Sequence, residues 1–385
     1  MDKKNTNNQN LPPGWRKTKL GEIVNIKMGQ SPSSQFYNSR GEGLPFYQGI
    51  TDFGSKYPNK SVYCNNPIKI AEKGEILFSV RAPVGEINIA IEKSCIGRGI
   101  AALSMKNNNN AFLYYLLKYN TQYFKNISGG TTYEAIGKDQ ILEIEIEIPE
   151  DPNEQKRIAN ILSAFDDKIE VNNKIIKTLE TMAQEIFKEF FEKNSKFEED
   201  NIKNAEEIFV FERGIEPGSK FYSEIKKEGY MAFYRVRDLD NQNRVNVYIP
   251  KEIANGKICR ENDVLISLDA TVGRVKIGCS GAYSSGIRKV YSKDGFIKNS
   301  FIYFWLKSHY VQNTILKHAS GSTILHAGQS LKFLTFHLNK NLIEKIQFII
   351  DPMFIKILKI LKENQTLAAI RDLLLIKLMR GEIRI

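Results

Sequence analysis

The hydrophobic pattern changes period abruptly near the middle of the chain. Across Ile141–Ile148, isoleucine at 144, 146 and 148 alternates with glutamate at 143, 145 and 147. A period of two predicts a strand with one buried and one solvated face. From about Asn153 to Lys193 the repeat is seven. One seam position holds Ile158, Phe165, Asn172, Leu179 and Ile186, and the other holds Leu162, Ile169, Ile176, Ala183 and Phe190. Five unbroken heptads predict a coiled-coil helix of roughly 60 Å, with Asn172 as a single polar residue that fixes register at some cost in stability. A second helical run, about Met353 to Arg380, carries Leu358, Leu361, Leu367, Ile370, Leu374 and Leu378 and stops at Gly381. Prolines precede each rod (Pro149 and Pro152; Pro352). Two such rods most simply pack as an antiparallel pair that holds the flanking domains apart. The alternative is that each rod packs only on its own domain.

The chain also resembles itself at a shift of roughly 185–191 residues. Ile26–Pro32 corresponds to Phe211–Pro217, and Pro45–Gln48 to Ala232–Arg235. KGEILFSVRAPVGEI (73–87) lies over ENDVLISLDATVGRV (261–275), Gly99-Ile100 over Gly286-Ile287, and GGTTYEAIGK (129–138) over SGSTILHAGQ (320–329). Five matches in one order exclude chance. Each half reads as short strands (Glu75–Ile91; Asp263–Ile277), an aromatic helix (Ala111–Tyr123; Asn299–Leu316), a Gly/Ser/Thr loop and a strand. The expected fold is α+β: two similar globular α/β domains, residues 1–150 and 196–350, joined by two long helices, 151–195 and 351–385. Those helices form an antiparallel coiled coil, with a pseudo-twofold internal repeat.

Charge sharpens this picture. Of 385 residues, 42% are hydrophobic and 11% aromatic, as expected of a soluble, folded protein. The net charge of +11 divides into +9 for residues 1–138, −9 for 139–200, +8 for 201–345 and +3 for 346–385. Two basic blocks suit a polyanion, and the acidic connector suits a protein partner. No stretch is long and apolar enough for a membrane span, the N-terminal sequence lacks a signal-peptide pattern, and its first ten residues read as a loose tail. Cys64, Cys95, Cys259 and Cys279 form no CxxC pair, which fits a reducing cytoplasm. His309, His318, His326 and His337 lack ligand-like spacing, so no metal site is expected.

A search for catalytic chemistry is negative. There is no phosphate-binding G-x-x-x-x-G-K-[ST] loop and no dinucleotide-type glycine turn. Asp151, Glu154 and Lys156 superficially suit a metal-dependent nuclease, but acidic residues at a helix start are favoured by the dipole. Asp166-Asp167 reads as a solvated coiled-coil flank. The matched loops instead carry DNA-binding residue types: Ser31, Gln48, Arg81, Arg98, Thr131, Thr132 and Lys138 in the first half, and Arg235, Arg237, Arg274, Arg288, Lys289, Ser322, Thr323 and Gln329 in the second. Arginine reads guanine, glutamine suits adenine, and lysine and hydroxyls hold phosphate. The competing reading of these residues is solvated charge and ordinary turns. Tyr114, Tyr115, Tyr119 and Tyr123, at near-helical spacing, read as core rather than as stacking platforms.

Several stretches resemble the specificity (S) subunit of type I restriction-modification systems. They are LPPGWRKTKLGEI (11–23), GQSPSS (29–34), GEILFSVRAPVG (74–85), SGGTT (128–132), the central EQKRIANILSAFDDKIEVNNKIIKTLETMAQEIFKEFF (154–191) and the C-terminal Ile370–Ile383. The resemblance implies two target recognition domains, each reading half of a split double-stranded DNA sequence, with the helices as a ruler. It further implies docking of two methyltransferase subunits and of restriction/translocase subunits. S-adenosylmethionine, ATP and Mg then belong to those partners, and the chain itself binds no cofactor and performs no catalysis. Ile376 stands where that family often has proline, and the lead-in to the second helix is reduced to Asp351-Pro352, so the second half is the more diverged. On this reading the two domains meet the major groove at sites ~34 Å apart. Alternatives are an S-like subunit serving a fused methyltransferase-nuclease, or a coiled-coil scaffold that binds no DNA.

Overall fold

Both long helices are shared between two compact units, the first formed by residues 1–169 and 367–385 and the second by residues 170–366. The computed structural model describes residues 11–129, 135–189, 202–240, 245–321 and 325–385. The predicted N-terminal tail, Phe190, Thr131, Thr132, Ser322, Thr323 and the expected helix end at Lys193 lie outside the described residues.

In the first unit, strand Trp15–Lys19 pairs antiparallel with Glu145–Pro149, Trp15 opposite Pro149 and Lys19 opposite Glu145. The predicted alternation holds: Ile144, Ile146 and Ile148 are buried, Glu145 and Glu147 exposed. Residues 138–142, expected as loop and strand, instead form a short helix. A four-stranded antiparallel sheet runs in the order Val24–Met28, Ile100–Met105, Ile76–Ser79, Ile87–Ile89. Its central strands are buried on both faces. Ile76, Phe78, Ala101 and Leu103 enter the main core, while Leu77, Ile100 and Ala102 join Tyr47 and Ile96 under a second sheet. In that sheet Leu44–Tyr47 and Ser94–Ile96 are parallel neighbours.

The second unit repeats the plan. Strand Ile202–Asn204 pairs with Thr335–His337, and a four-stranded sheet runs Phe209–Arg213, Ile287–Ser292, Val264–Ser267, Val275–Lys276. Tyr230–Tyr234 and Gly281–Tyr283 are parallel neighbours in its second sheet. Each predicted aromatic helix is broken into two: Asn110–Tyr119 and Thr121–Gly129 in the first unit, Asn299–Leu306 and His309–Lys317 in the second. Polar side chains make the breaks. Asn120 Nδ2 donates to the Leu116 carbonyl at 2.8 Å, and Ser308 caps the following helix by accepting from Val311 N at 3.4 Å.

Helix Pro152–Phe187 matches the expected spacer, but the C-terminal helix runs Lys340–Met379 and passes straight through Pro352. The expected helix start at Met353 is therefore corrected to Lys340. Proline deprives only the Phe348 carbonyl of its helical donor, and Phe348 is 84% exposed, so water can take that donor's place. In the first unit Ile158, Ala159 and Leu162 share one core with Leu375, Leu378 and Met379. In the second, Ala183 and Phe187 share a core with Ile343, Ile346, Ile350, Phe354 and Ile357. The helices run antiparallel within each unit, and neither packs on one domain alone.

Most of the seam positions read from the heptads are at least half-buried. Ile158, Leu162, Asn172, Ala183 and Leu378 are buried, and Phe165, Ile169, Ile176, Leu179, Ile186, Leu358, Leu361, Leu367 and Leu374 are half-buried. Ile370 is the exception, at 42% exposed, because Arg371 takes the inward place. Its partner corrects a second expectation. Asp167 is exposed, but Asp166 is buried, accepts from Tyr115 Oη at 2.6 Å and pairs with the Arg371 guanidinium. Burial alone would raise the Asp166 pKa, but Lys118, Tyr115 and Arg371 outweigh it and hold the carboxyl below its usual range. In the second unit Asn172 Nδ2 donates to Asn364 Oδ1 at 2.8 Å and Glu363 Oε2 at 3.1 Å, so the amide nitrogen of this polar seam residue is engaged. Asp151 Oδ1 accepts from Asn153 N at 2.8 Å, a helix-start role.

Asp166→Ala should destabilise the protein by about 1–3 kcal/mol, since it leaves the buried Arg371 guanidinium with Asp372 as its remaining carboxylate, whereas Asp166→Leu combined with Arg371→Met should recover most of that loss. Denaturant unfolding of the full chain measures both. A single variant as stable as the parent would show that the pair contributes nothing.

Candidate nucleic-acid interface

Three backbone hydrogen bonds gather the predicted loops of the first unit at one edge. Gly97 N donates to the Tyr47 carbonyl at 2.9 Å, Val80 N to the Gly99 carbonyl at 2.9 Å, and Ile136 N to the Val80 carbonyl at 2.9 Å. These bonds place Gln48, Arg81, Arg98 and Ala135 on neighbouring backbone positions. All four are exposed. Among the described residues, neither the Arg81 nor the Arg98 guanidinium has a hydrogen-bond or ion-pair partner. Ser31 Oγ accepts from Arg98 N at 3.2 Å, so Ser31 positions this loop. The approach is possible because residue 29 is glycine: a Cβ there would lie 2.2 Å from the Gly97 carbonyl oxygen. Lys138, at the start of the short helix 138–142, is exposed as well.

The second unit carries the same three bonds. Ser284 N donates to the Tyr234 carbonyl at 2.8 Å, Leu268 N to Gly286 at 2.9 Å, and Ala327 N to Leu268 at 2.7 Å. Gly214 repeats the close approach: a Cβ there would lie 2.2 Å from the Tyr283 carbonyl oxygen. The hairpin turns also match. Ser79 Oγ donates to the Pro83 carbonyl at 2.7 Å and accepts from Glu86 N at 2.9 Å. Ser267 Oγ donates to Thr271 at 2.6 Å and accepts from Arg274 N at 2.9 Å. Here the rim consists of Arg235, Asp269, Ser285 and His326.

The second unit's predicted cations are largely engaged within the fold. Arg235 donates from Nε and Nη2 to Asp238 at 2.8 and 3.2 Å, and to Asn246 Oδ1 at 2.6 Å. Arg274 lies 3.4 Å from Asp240, and Arg237 is exposed, 3.8 Å from Asp238. Arg288 Nη1 donates to the Ser285 carbonyl at 2.6 Å; burial, with Arg213 nearby, pushes its pKa down. Lys289 Nζ sits 2.9 Å from Glu212 Oε2. Glu212 also accepts from Tyr283 Oη at 2.6 Å and Lys257 Nζ at 3.1 Å. Burial opposes ionisation of Glu212, but Tyr283, Lys289 and Lys257 prevail and lower its pKa from 4.5 to about 2. Gln329 is exposed in the 3₁₀ turn Gly328–Phe333. Of the four tyrosines read as core, Tyr114 and Tyr115 are buried and Tyr119 is half-buried, but Tyr123 is 47% exposed and lies outside the core. Among the described residues no cluster of His, Cys, Asp or Glu suits a metal ion, and no helix is long and apolar enough to cross a membrane.

The profile of the type I restriction modification DNA specificity domain matches twice, over residues 12–181 and 195–362. The chain belongs to the type I restriction-modification DNA specificity family. A putative MjaX specificity subunit of Methanocaldococcus jannaschii is 42% identical over 180 residues, 46% of this chain and 42% of that protein. The MjaIX specificity subunit of the same organism is 26% identical over 424 aligned positions, 99% of this chain and 96% of the relative. The crystal structure of a type I system S subunit from M. genitalium covers 97% of both chains with a TM-score of 0.56 at 20% identity, a likeness of fold.

Of the residues at these two rims, the sequence pattern had marked Gln48, Arg81, Arg98 and Arg235 as DNA-binding types but not Asp269, Ser285 or His326. The signal was available: the internal repeat sets Arg81 over Asp269 and Ala135 over His326.

Because the Glu212 carboxyl is depressed in the folded chain, its stabilisation is complete above pH 4.5 and is lost as pH falls towards about 2. Glu212→Gln should therefore lower stability at neutral pH and flatten the acid limb of a pH–unfolding profile. An unchanged acid limb would contradict this.

Proposed function

We propose that the chain reads a two-part double-stranded DNA sequence, one half with each unit, and performs no chemistry on it. The observation that carries this reading is the rim built twice by the same three backbone bonds, with different side chains at every matched position. A repeated frame with different side chains is what reading two half-sites needs, because the frame sets register while the side chains meet base edges. Catalysis would instead need one fixed constellation of groups. Basic blocks of +9 and +8 supply a salt-dependent attraction to phosphate that steers encounter. In the first unit Arg81 and Arg98 provide guanidinium donors for guanine or phosphate, and Gln48 an amide for adenine.

On this proposal the chain works in a complex. Two methyltransferase subunits dock on it and restriction/translocase subunits join them. S-adenosylmethionine, ATP and Mg act there, and the acidic connector favours protein over DNA as its neighbour. A cytoplasmic location accords with four free cysteines, all buried.

Footprinting of the full chain with its partner subunits should give two short protected patches separated by a gap of tolerant sequence. Affinity should fall by about a thousandfold between ~50 and ~200 mM salt. Arg98→Ala should weaken binding with no change in unfolding midpoint. One continuous patch, or binding indifferent to salt, would overturn the reading.

A further inference from the structure

The rim of the second unit holds a side-chain pair that the fold does not require. His326 Nδ1 lies 2.7 Å from Asp269 Oδ1, yet the His326 side chain is 60% exposed. Backbone bonds already close this segment. His326 N donates to the Ser320 carbonyl at 2.7 Å, Ser320 N to the His326 carbonyl at 3.0 Å, and Asp269 and Ala270 pair with His326 and Leu325. In the first unit the same position is Ala135, bridged to Arg81 through the backbone, and alanine has no side chain that could form such a pair. A carboxylate on a rim facing a polyanion is also electrostatically unfavourable unless it has a specific task.

Chemistry defines that task. An ionised carboxylate only accepts, so the proton shared with Asp269 resides on Nδ1. Fixing it there leaves Nε2 of the neutral ring as an acceptor. Nε2 is the ring's other polar atom, so the exposed imidazole offers the solvent side an acceptor. Arg81, at the position matched to Asp269, offers only donors. In the major groove donors read the guanine edge, whereas an acceptor reads the exocyclic amino group of adenine or cytosine.

We propose that the Asp269–His326 pair is a base-reading element of the second unit, with His326 Nε2 accepting from an adenine or cytosine amino group. Its polarity is opposite to that of Arg81 at the matched position of the first unit. Asp269 is a positioning residue and His326 the contact. The proposal rests on the DNA-reading function above and makes the two half-sites differ at this position.

Selection from a random DNA library by the full chain with its partner subunits tests it. Parent, Arg81→Ala, Asp269→Asn and His326→Ala proteins are compared, with thermal unfolding measured for each. His326→Ala should lose about tenfold discrimination at one adenine or cytosine position of one half-site. Asp269→Asn should relax the same position, and Arg81→Ala a guanine in the other half-site. The proposal is overturned if His326→Ala weakens all sequences equally, leaves the selected motif unchanged, or relaxes the same half-site as Arg81→Ala. Should the parent itself select no two-part motif, the DNA-reading function fails, and the pair's assignment with it.

Discussion

Neither unit can close its core without segments of both long helices, and every other feature depends on that shared burial. A sheet with an apolar face needs a second layer. In the first unit that layer combines the aromatic helix with Ile158, Ala159, Leu162, Leu375, Leu378 and Met379. Each large aliphatic residue buried there contributes about 1.5–3 kcal/mol. Ile76, Phe78 and Val80 share this core and lead into Arg81, while the strands that end at Gln48 and Arg98 pack through Tyr47 and Ile96 on the other face of the same sheet. Side chains that read base edges must be held this way, since free loops would lose entropy on binding.

Polar groups interrupt the apolar contact between the helices at different points in the two units. The first unit holds the Asp166–Arg371 pair with Tyr115, and the second holds Asn172 against Glu363 and Asn364. Under a shift of 188 residues, within the range that relates the halves, Asp166 corresponds to Phe354 and Arg371 to Ala183, both buried and apolar. The matched sites therefore differ in chemistry while the backbone plan repeats. Buried polar groups of this kind select one register at some expense of stability.

Much of this was legible in the sequence, because periodicity and self-similarity are local signals. The Ile/Glu alternation, the heptads through Asn172 and the repeat of the hairpin turns each appear in the structure where they were read. What sequence did not show depends on contacts made across the fold. Asp166 looks like a solvated acid until Tyr115 and Arg371 meet it, and Ile370 looks like a seam residue until Arg371 takes its place. Pro352 reads as a helix break, yet an exposed Phe348 lets the helix continue. The rim was half visible. Basic residues drew notice to Arg81 and Arg98, whereas Arg235 and Lys289 proved to be engaged by Asp238 and Glu212. Asp269 and His326 were passed over because the search followed basic and amide side chains, and their contact is made only in the fold.

The central claim is that two similar frames with different side chains read two different short sequences. Sequencing the methylated adenines in cells that carry the intact restriction-modification system tests this directly. The account predicts one motif made of two unlike short elements at a constant separation, with unconstrained bases between them. A single uninterrupted motif, or no motif that depends on this chain, would contradict it.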